Sequence, residues 1–241
     1  MAAIQHELLG FSPQQRVLIP NGVDLTRFKP IAGARLALRQ ELALQSDALV
    51  VGAVGRYHPQ KDFEGLLRAA AVILQRGLDV HLVIVGRGAT QGNRSLTSLA
   101  SDLGIRERVH LLGERHEVQL VVAGFDLFAS SSVNEGFCNV LVEAMACGVP
   151  CVATDVGAAR EVLQGLGCVV PPGDPAALGR AIADTLSLST QERLSLGARE
   201  RGCVRTRYCL SSMVDRYAEL YLEVLQPRLA RSRESVCKAA A

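Results

Sequence analysis

Six short apolar runs, separated by segments of helical periodicity, constrain this chain more than any other feature. Leu49–Val54 ends at Gly55, Val80–Val85 at Gly86 and Val109–Leu112 at Gly113. Leu127–Ala129 runs into a serine cluster, and Cys151–Ala153 and Cys168–Val170 complete the series. The intervening stretches, Phe63–Gln75, Ser95–Leu103, Val118–Ala123, Asn139–Ala146, Ala158–Leu163 and Ala176–Leu186, place apolar residues at helical spacing. Apolar runs without polar alternation are strands buried on both faces, and their alternation with helices gives βαβ units. The pattern predicts an α/β fold: one Rossmann-like, doubly wound parallel sheet of about six strands. Ligands of such sheets bind beyond the carboxyl ends of the strands, where the glycines and polar residues fall here.

Four regions follow. Residues 1–48 read as a linker and lead-in: a polar, weakly helical piece over 1–16, a short strand at Val17–Pro20, a turn at Asn21-Gly22 and a helix from Ala34 to Leu44. Residues 49–188 form the sheet domain. Residues 189–226 read as two helices broken near Tyr208-Cys209, the second carrying Met213, Tyr217, Leu220, Tyr221 and Val224 at helical spacing. Residues 227–241 read as a basic, alanine-rich, frayed tail.

Composition excludes several classes. With 49% hydrophobic residues the 241-residue chain can bury a core, and a net charge of +2 gives no pull toward nucleic acid. No apolar run reaches the ~18–20 residues that span a bilayer. The 7 cysteines are scattered without a C-x-x-C, which fits idle thiols in a reducing cytoplasm better than disulfides or a zinc site.

Chemistry concentrates in two loops. Glu135-Gly136-Phe137-Cys138 precedes a helix starting at Asn139, with Glu143 one turn in and Gly148 and Pro150 ending it. The helix N-terminus offers unpaired N–H groups and about half a positive charge, which suits a phosphate. Glu143 sits among Val142, Ala144 and Met145, and a buried carboxylate needs a partner such as a ribose diol or backbone amides. The plainer readings are two surface carboxylates, or a hydrolase acid–base pair. The loop after the first strand, Gly55-Arg56-Tyr57-His58-Pro59-Gln60-Lys61, carries two cations able to clamp a diphosphate, or simply two solvated charges, and His58 reads as a loop or capping residue. Gly86-Arg87-Gly88 is half a dinucleotide fingerprint and lacks the third glycine, which argues against an NAD-dependent dehydrogenase. The serines at 130–132 read as ligand contacts or as a plain strand exit.

Asn21-Gly22-Val23-Asp24, Gly55-Arg56 with Lys61, Glu135-Gly-Phe and Glu143-Ala-Met-Ala-Cys-Gly-Val-Pro together resemble glycosyltransferase family 4, retaining enzymes of the GT-B fold. Gly157, Arg160-Glu161 and Pro171-Pro172-Gly173-Asp174 are similar to the same pattern. The resemblance extends over about residues 17–225 and covers the C-terminal, donor-binding half of such an enzyme. It implies that Arg56 and Lys61 bind the donor diphosphate, with Gly55 in the same loop, and stabilise the leaving nucleoside diphosphate. No metal and no cofactor beyond a UDP- or GDP-linked sugar is implied. Glu135 would position the donor sugar or stabilise a cationic transition state, and backbone N–H groups from Gly136 through Phe137, Cys138 and Asn139 to Val140 would contact sugar hydroxyls and phosphate. Glu143 would accept from the ribose, and the base would lie near the loops after Gly86 and Gly113. Cys138 and Ser131 depart from the pattern, where proline or glycine, and proline, are frequent; the contacts implied there run through backbone.

The resemblance further implies transfer of a sugar in polysaccharide or glycolipid assembly, in the cytoplasm or at the inner membrane face, with peripheral membrane contact made by the whole enzyme. An N-terminal acceptor-binding domain would be the missing partner, leaving this chain inactive alone and the apolar stripe of its last helix open. The alternative class is a non-catalytic nucleotide-sugar-binding or interaction module. A nucleotide-sugar epimerase fits the two-glutamate motif less well.

Overall fold

The six apolar runs become the six strands of one parallel sheet: β1 (Leu49–Val54), β2 (Val80–Val85), β3 (Val109–Gly113), β4 (Leu127–Ser130), β5 (Cys151–Thr154) and β6 (Cys168–Val170), in the order β3-β2-β1-β4-β5-β6. The computed structural model describes residues 17–239, with side chains to residue 225, so the helical piece expected over 1–16 lies outside the described residues. The strand order reverses between β1 and β4, which pair directly through Val51 with Leu127 and Gly52 with Phe128. In a doubly wound sheet that reversal opens the ligand crevice at the carboxyl edge.

Period-two alternation sends successive strand residues to opposite faces. Val51, Leu82 and Ile84 pack beneath α2 (Phe63–Gln75), α3 (Arg94–Asp102) and α7 (Pro175–Leu186), through residues such as Leu66, Ile73, Leu96 and Ile182. Val50, Val83 and Phe128 pack on the other face against α1 (Ala34–Glu41), α4 (Val118–Val122), α5 (Asn139–Ala146), α6 (Ala159–Leu163) and α8 (Thr190–Arg207). Each of these large side chains, removed from water, contributes roughly 1.5–3 kcal/mol. The expected α/β architecture holds.

Three sequence expectations change. Val17–Pro20 is not a strand: among the described residues it pairs with none, and Val17 and Leu18 are exposed. The pairing falls instead at Val23, whose N–H donates to the Tyr208 carbonyl at 2.8 Å while its carbonyl accepts from the Leu210 N–H at 3.0 Å. The chain can approach this closely because residue 22 is glycine; a Cβ there would lie 2.7 Å from Leu210 Cα. Second, the lead-in is built into the core, with Val23, Phe28 and Leu38 in the second cluster. Its Arg39 is wholly buried, ion-paired with Asp126 and donating to the carbonyls of Gly124 at 2.6 Å and Ala48 at 2.9 Å. Third, α9 (Leu210–Ala239) continues past Pro227 where a frayed tail was expected, since the alanines, arginines and leucine that follow favour helix.

Candidate functional site

The crevice between β1 and β4 is built from two loops that hold each other. After β1, the Gly55 N–H donates to the Val85 carbonyl at 2.9 Å and the Tyr57 N–H to the Arg87 carbonyl at 2.7 Å. Gly86 sits at φ 145, and a Cβ on it would meet the Gly55 carbonyl oxygen at 1.9 Å, so the loops after β1 and β2 touch through glycine backbone. His58 caps the 3₁₀ turn Pro59–Lys61, its Nδ1 accepting from the Gln60 N–H at 3.3 Å, as a capping histidine should. Asp62 then caps α2 by accepting the Gly65 N–H at 3.0 Å. This tight turn points Lys61 across the crevice.

There Lys61 Nζ forms an ion pair with Glu135 Oε1, and Ser132 Oγ donates to the same oxygen at 2.9 Å. Ser131 Oγ donates to the Lys61 carbonyl at 2.6 Å, and the Val133 N–H to the Gln60 carbonyl at 2.8 Å. The serines at 130–132 are all buried, and each has its own contact: Ser131 joins the β4 exit to the Lys61 turn, Ser132 holds Glu135, and Ser130 Oγ lies 3.9 Å from Cys138 Sγ. From behind, Gly157 at φ 56 carries the Glu135-Gly136 segment; a Cβ there would lie 2.5 Å from both carbonyl oxygens. Arg56 is exposed on the same edge, and no carboxylate pairs with it among the described residues.

Helix α5 starts at Asn139 behind Cys138, whose side chain makes no capping hydrogen bond among the described residues. Of its first-turn donors, Asn139 N–H donates to the Phe137 carbonyl at 3.1 Å and Leu141 N–H to the Cys138 carbonyl at 3.2 Å, which leaves Val140 N–H without a backbone partner among the described residues. Asn21 Nδ2 donates to Asn139 Oδ1 at 3.0 Å, tying the lead-in to this helix start. Phe137 and Val140 are half-buried beside it, whereas Cys138 is buried in the second core cluster, and its surroundings push the thiol up, burial first and the Glu135 carboxylate second.

Glu143 is half-buried rather than buried, and its carboxylate has no hydrogen-bond partner among the described residues. Burial raises its pKa, and the Arg27 guanidinium partly offsets the rise. Arg27 was not anticipated: it stands over the Phe28 ring at 5.3 Å, donating to the His116 carbonyl at 3.1 Å and to Gln119 Oε1 at 3.3 Å. Sequence reasoning missed it because its partners come from the β3–α4 region, about 90 residues on by the separations of 89 and 92. The loops after Gly86 and Gly113 are joined to one another, the Gly86 N–H donating to the Gly113 carbonyl at 2.7 Å, and flank this end of the crevice. Lys61 and Arg56 at the strand-order reversal, the start of α5 and the half-buried Glu143 carboxylate thus line one edge of the sheet.

A family model described as glycosyl transferases group 1 matches residues 48–187. A D-inositol 3-phosphate glycosyltransferase of Geodermatophilus obscurus is 34% identical over 94% of this chain and 51% of its own length. A putative glycosyltransferase, EpsF, of Bacillus subtilis is 34% identical over 63% of this chain and 39% of its own. The chain thus spans about half the length, or less, of the curated relatives it matches. Among solved structures, Anabaena HepE in complex with UDP and glucose superimposes with a TM-score of 0.81 at 28% identity, covering 90% of this chain and 59% of that one. The C-terminal domain of a glycosyl transferase group 1 family protein, LpcC, from Francisella tularensis shares the fold: TM-score 0.65, 23% identity, 78% of this chain and 100% of that one.

Proposed function

We propose a donor-binding role for this chain, which belongs to the glycosyl transferases group 1 family. In that role it is the half of a retaining, family 4 glycosyltransferase that holds a nucleotide-sugar, with UDP the favoured nucleotide because the similar HepE structure contains UDP. The observation that carries the reading is the convergence of Lys61, Glu135 and the start of α5 on the crevice between β1 and β4.

Arg56 and Lys61 take the diphosphate, the arginine bidentately and the lysine as a point charge. As the sugar–phosphate bond breaks, negative charge grows on the departing diphosphate, and these fixed cations stabilise it there without requiring a metal ion. Glu135, held by Ser132, lies on the sugar side and offers its carboxylate to developing positive charge on the ring. The N–H groups from Gly136 to Val140 take sugar hydroxyls and phosphate oxygens, and Glu143 takes the ribose hydroxyls.

The acceptor half is a separate domain, and its seat is the exposed apolar face of α9, where Val214, Tyr217, Tyr221 and Leu222 stand in water. The chain alone then binds donor with little or no transfer, in a pathway of polysaccharide or glycolipid assembly. Calorimetry with UDP, GDP, UDP-glucose and GDP-mannose, on wild type and Lys61→Ala, tests this. Saturable binding to wild type that Lys61→Ala weakens supports the reading; no binding of any of the four ligands by wild type sinks it.

A further inference from the structure

At the amino ends of β4 and β5, on the edge opposite the donor crevice, lies a cleft of about 390 Å³ that none of the chemistry above uses. Its apolar walls include Ile31, Phe125 and Leu194, and its cations are Arg35, Arg193 and Arg201. Arg193 and Arg201 stand four residues either side of Gly197, and so on one face of α8. That face is seated without slack: a Cβ on Gly197 would lie 2.0 Å from the Gly148 carbonyl oxygen. The helix backbone thus rests on the turn after α5, and the two guanidinium groups flank the contact.

The charge in the cleft is unbalanced. Its one carboxylate among the described residues, Asp126, is already taken, Oδ1 by Arg35 and Oδ2 by Arg39 and by the Val50 N–H at 2.7 Å. Arg193 and Arg201 pair with no carboxylate among the described residues. Arg193 spends Nη1 on the carbonyls of Leu186 and Leu188 and one Nη2 hydrogen on Thr190 Oγ1 at 3.4 Å, and Arg201 spends Nη1 on the carbonyl of Ala146. Contacts of this kind fix the direction of each guanidinium while leaving its full charge, the Nε–H of both and the Nη2 group of Arg201 without a partner among the described residues. Fixed planar forks with unused donors match the oxygens of a dianion.

We propose that this cleft binds a phosphate monoester carrying an apolar body, the phosphate on Arg193 and Arg201 and the body on Ile31 and Leu194. The site is separate from the donor crevice and does not depend on the donor assignment.

The test is calorimetric titration of the full chain with hexyl phosphate, inorganic phosphate and hexanoate. Wild type is expected to bind hexyl phosphate at least about tenfold more tightly than either fragment. Arg193→Gln with Arg201→Gln should weaken it by at least about tenfold, as loss of charge-assisted hydrogen bonds does. Lys61→Ala should leave it unchanged. Absence of saturable binding, an unaltered affinity in the double variant, or loss in Lys61→Ala each overturns the proposal, the last because the ligand would then be in the donor crevice. Should the double variant fail to fold by circular dichroism, Leu194→Asp serves instead, since Leu194 is 58% exposed. It must erase the preference for hexyl phosphate over inorganic phosphate, and an intact preference overturns the assignment. Co-sedimentation with phosphatidylcholine vesicles, with and without phosphatidic acid, identifies the source. Binding to the phosphatidic acid vesicles alone supports a membrane headgroup, and hexyl phosphate binding without vesicle binding supports a soluble phosphate ester.

Discussion

Lys61 and Glu135 lie 74 residues apart in the chain and meet as an ion pair where the strand order of the sheet reverses. The lysine that would receive a diphosphate is thus shared with a carboxylate, and the two anions compete for one ammonium. Lys61→Ala should raise the dissociation constant for UDP at least about tenfold, the usual scale for a charge-assisted contact. Glu135→Gln should do the reverse and tighten UDP severalfold, because the ammonium is released while the Ser132 hydrogen bond can be kept. Calorimetry on both variants decides it. If Glu135→Gln weakens UDP as Lys61→Ala does, the carboxylate supports the diphosphate site rather than competing with it.

Glu143 carries a half-buried carboxylate whose pKa burial raises, with Arg27 the charge that opposes the rise. A partly desolvated acceptor gains most when a ligand supplies two donors, as a ribose diol does. Wild type should prefer UDP to 2′-deoxy-UDP, and Glu143→Gln should lose most of that preference. The melting temperature should hold or rise in the same variant, since an amide is desolvated at less cost than a carboxylate. A variant that keeps the full preference removes Glu143 from the ribose.

Strands β1 and β2 were legible because strands buried on both faces leave an unbroken apolar run, and α5 because Gly148, at φ 73, stops it with a left-handed turn. What the sequence hid is what depends on distant partners. An apolar run such as Val17–Pro20 carries no sign of whether a sheet edge lies beside it. Nothing beside Arg39 in the sequence marks it as buried; its partner Asp126 lies 87 residues on, and no local pattern links them. Gly86 was visible as half a phosphate fingerprint, yet its reason is steric, the 1.9 Å approach to the Gly55 carbonyl. The Ser130–Ser132 cluster was visible too, but the contact each serine makes follows only from the fold. Local periodicity gives the elements; the site comes from contacts across β1 and β4.

The buried Arg39–Asp126 pair makes a sharp stability prediction. Arg39 is 0% exposed and Asp126 7%, with every Asp126 oxygen engaged. Arg39→Met leaves the buried Asp126 carboxylate with only the 44% exposed Arg35 as counter-charge; breaking a buried pair from one side costs about 3–5 kcal/mol, and the lower end is expected here. Combining it with Asp126→Asn should recover part of that loss, because the remaining amide needs no counter-charge. Urea unfolding of the single and double variants measures both values. A cost for Arg39→Met below about 1 kcal/mol, the range of exposed pairs, would mean the pair is solvated in solution.

Glu200 on α8 gives the chain a pH dependence with a definite sign. Its side chain is 0% exposed, Oε1 accepts the Cys151 N–H at 3.3 Å, and Oε2 has no partner among the described residues. Burial raises its carboxyl from 4.5 to about 8. Between those values the folded state holds a proton that the unfolded state has released, so stability falls as pH rises through that window and levels off above it. The cost is on the order of a few kcal/mol. Glu200→Gln keeps an acceptor for Cys151 and removes the titration, so it should match wild type near pH 4 and exceed it at pH 8. The comparison must be a difference between the two proteins at each pH. Burial also lowers His110 to about 4, and that group, neutral when folded, loses stability as pH falls from 6.5, the opposite slope in an overlapping window. Subtracting the variant's unfolding free energy from that of wild type, from pH 4 to 9, cancels the histidine and leaves Glu200. A difference that stays flat across this range would mean that Glu200 ionises in the folded state as freely as in the unfolded one, and that α8 opens to water around it.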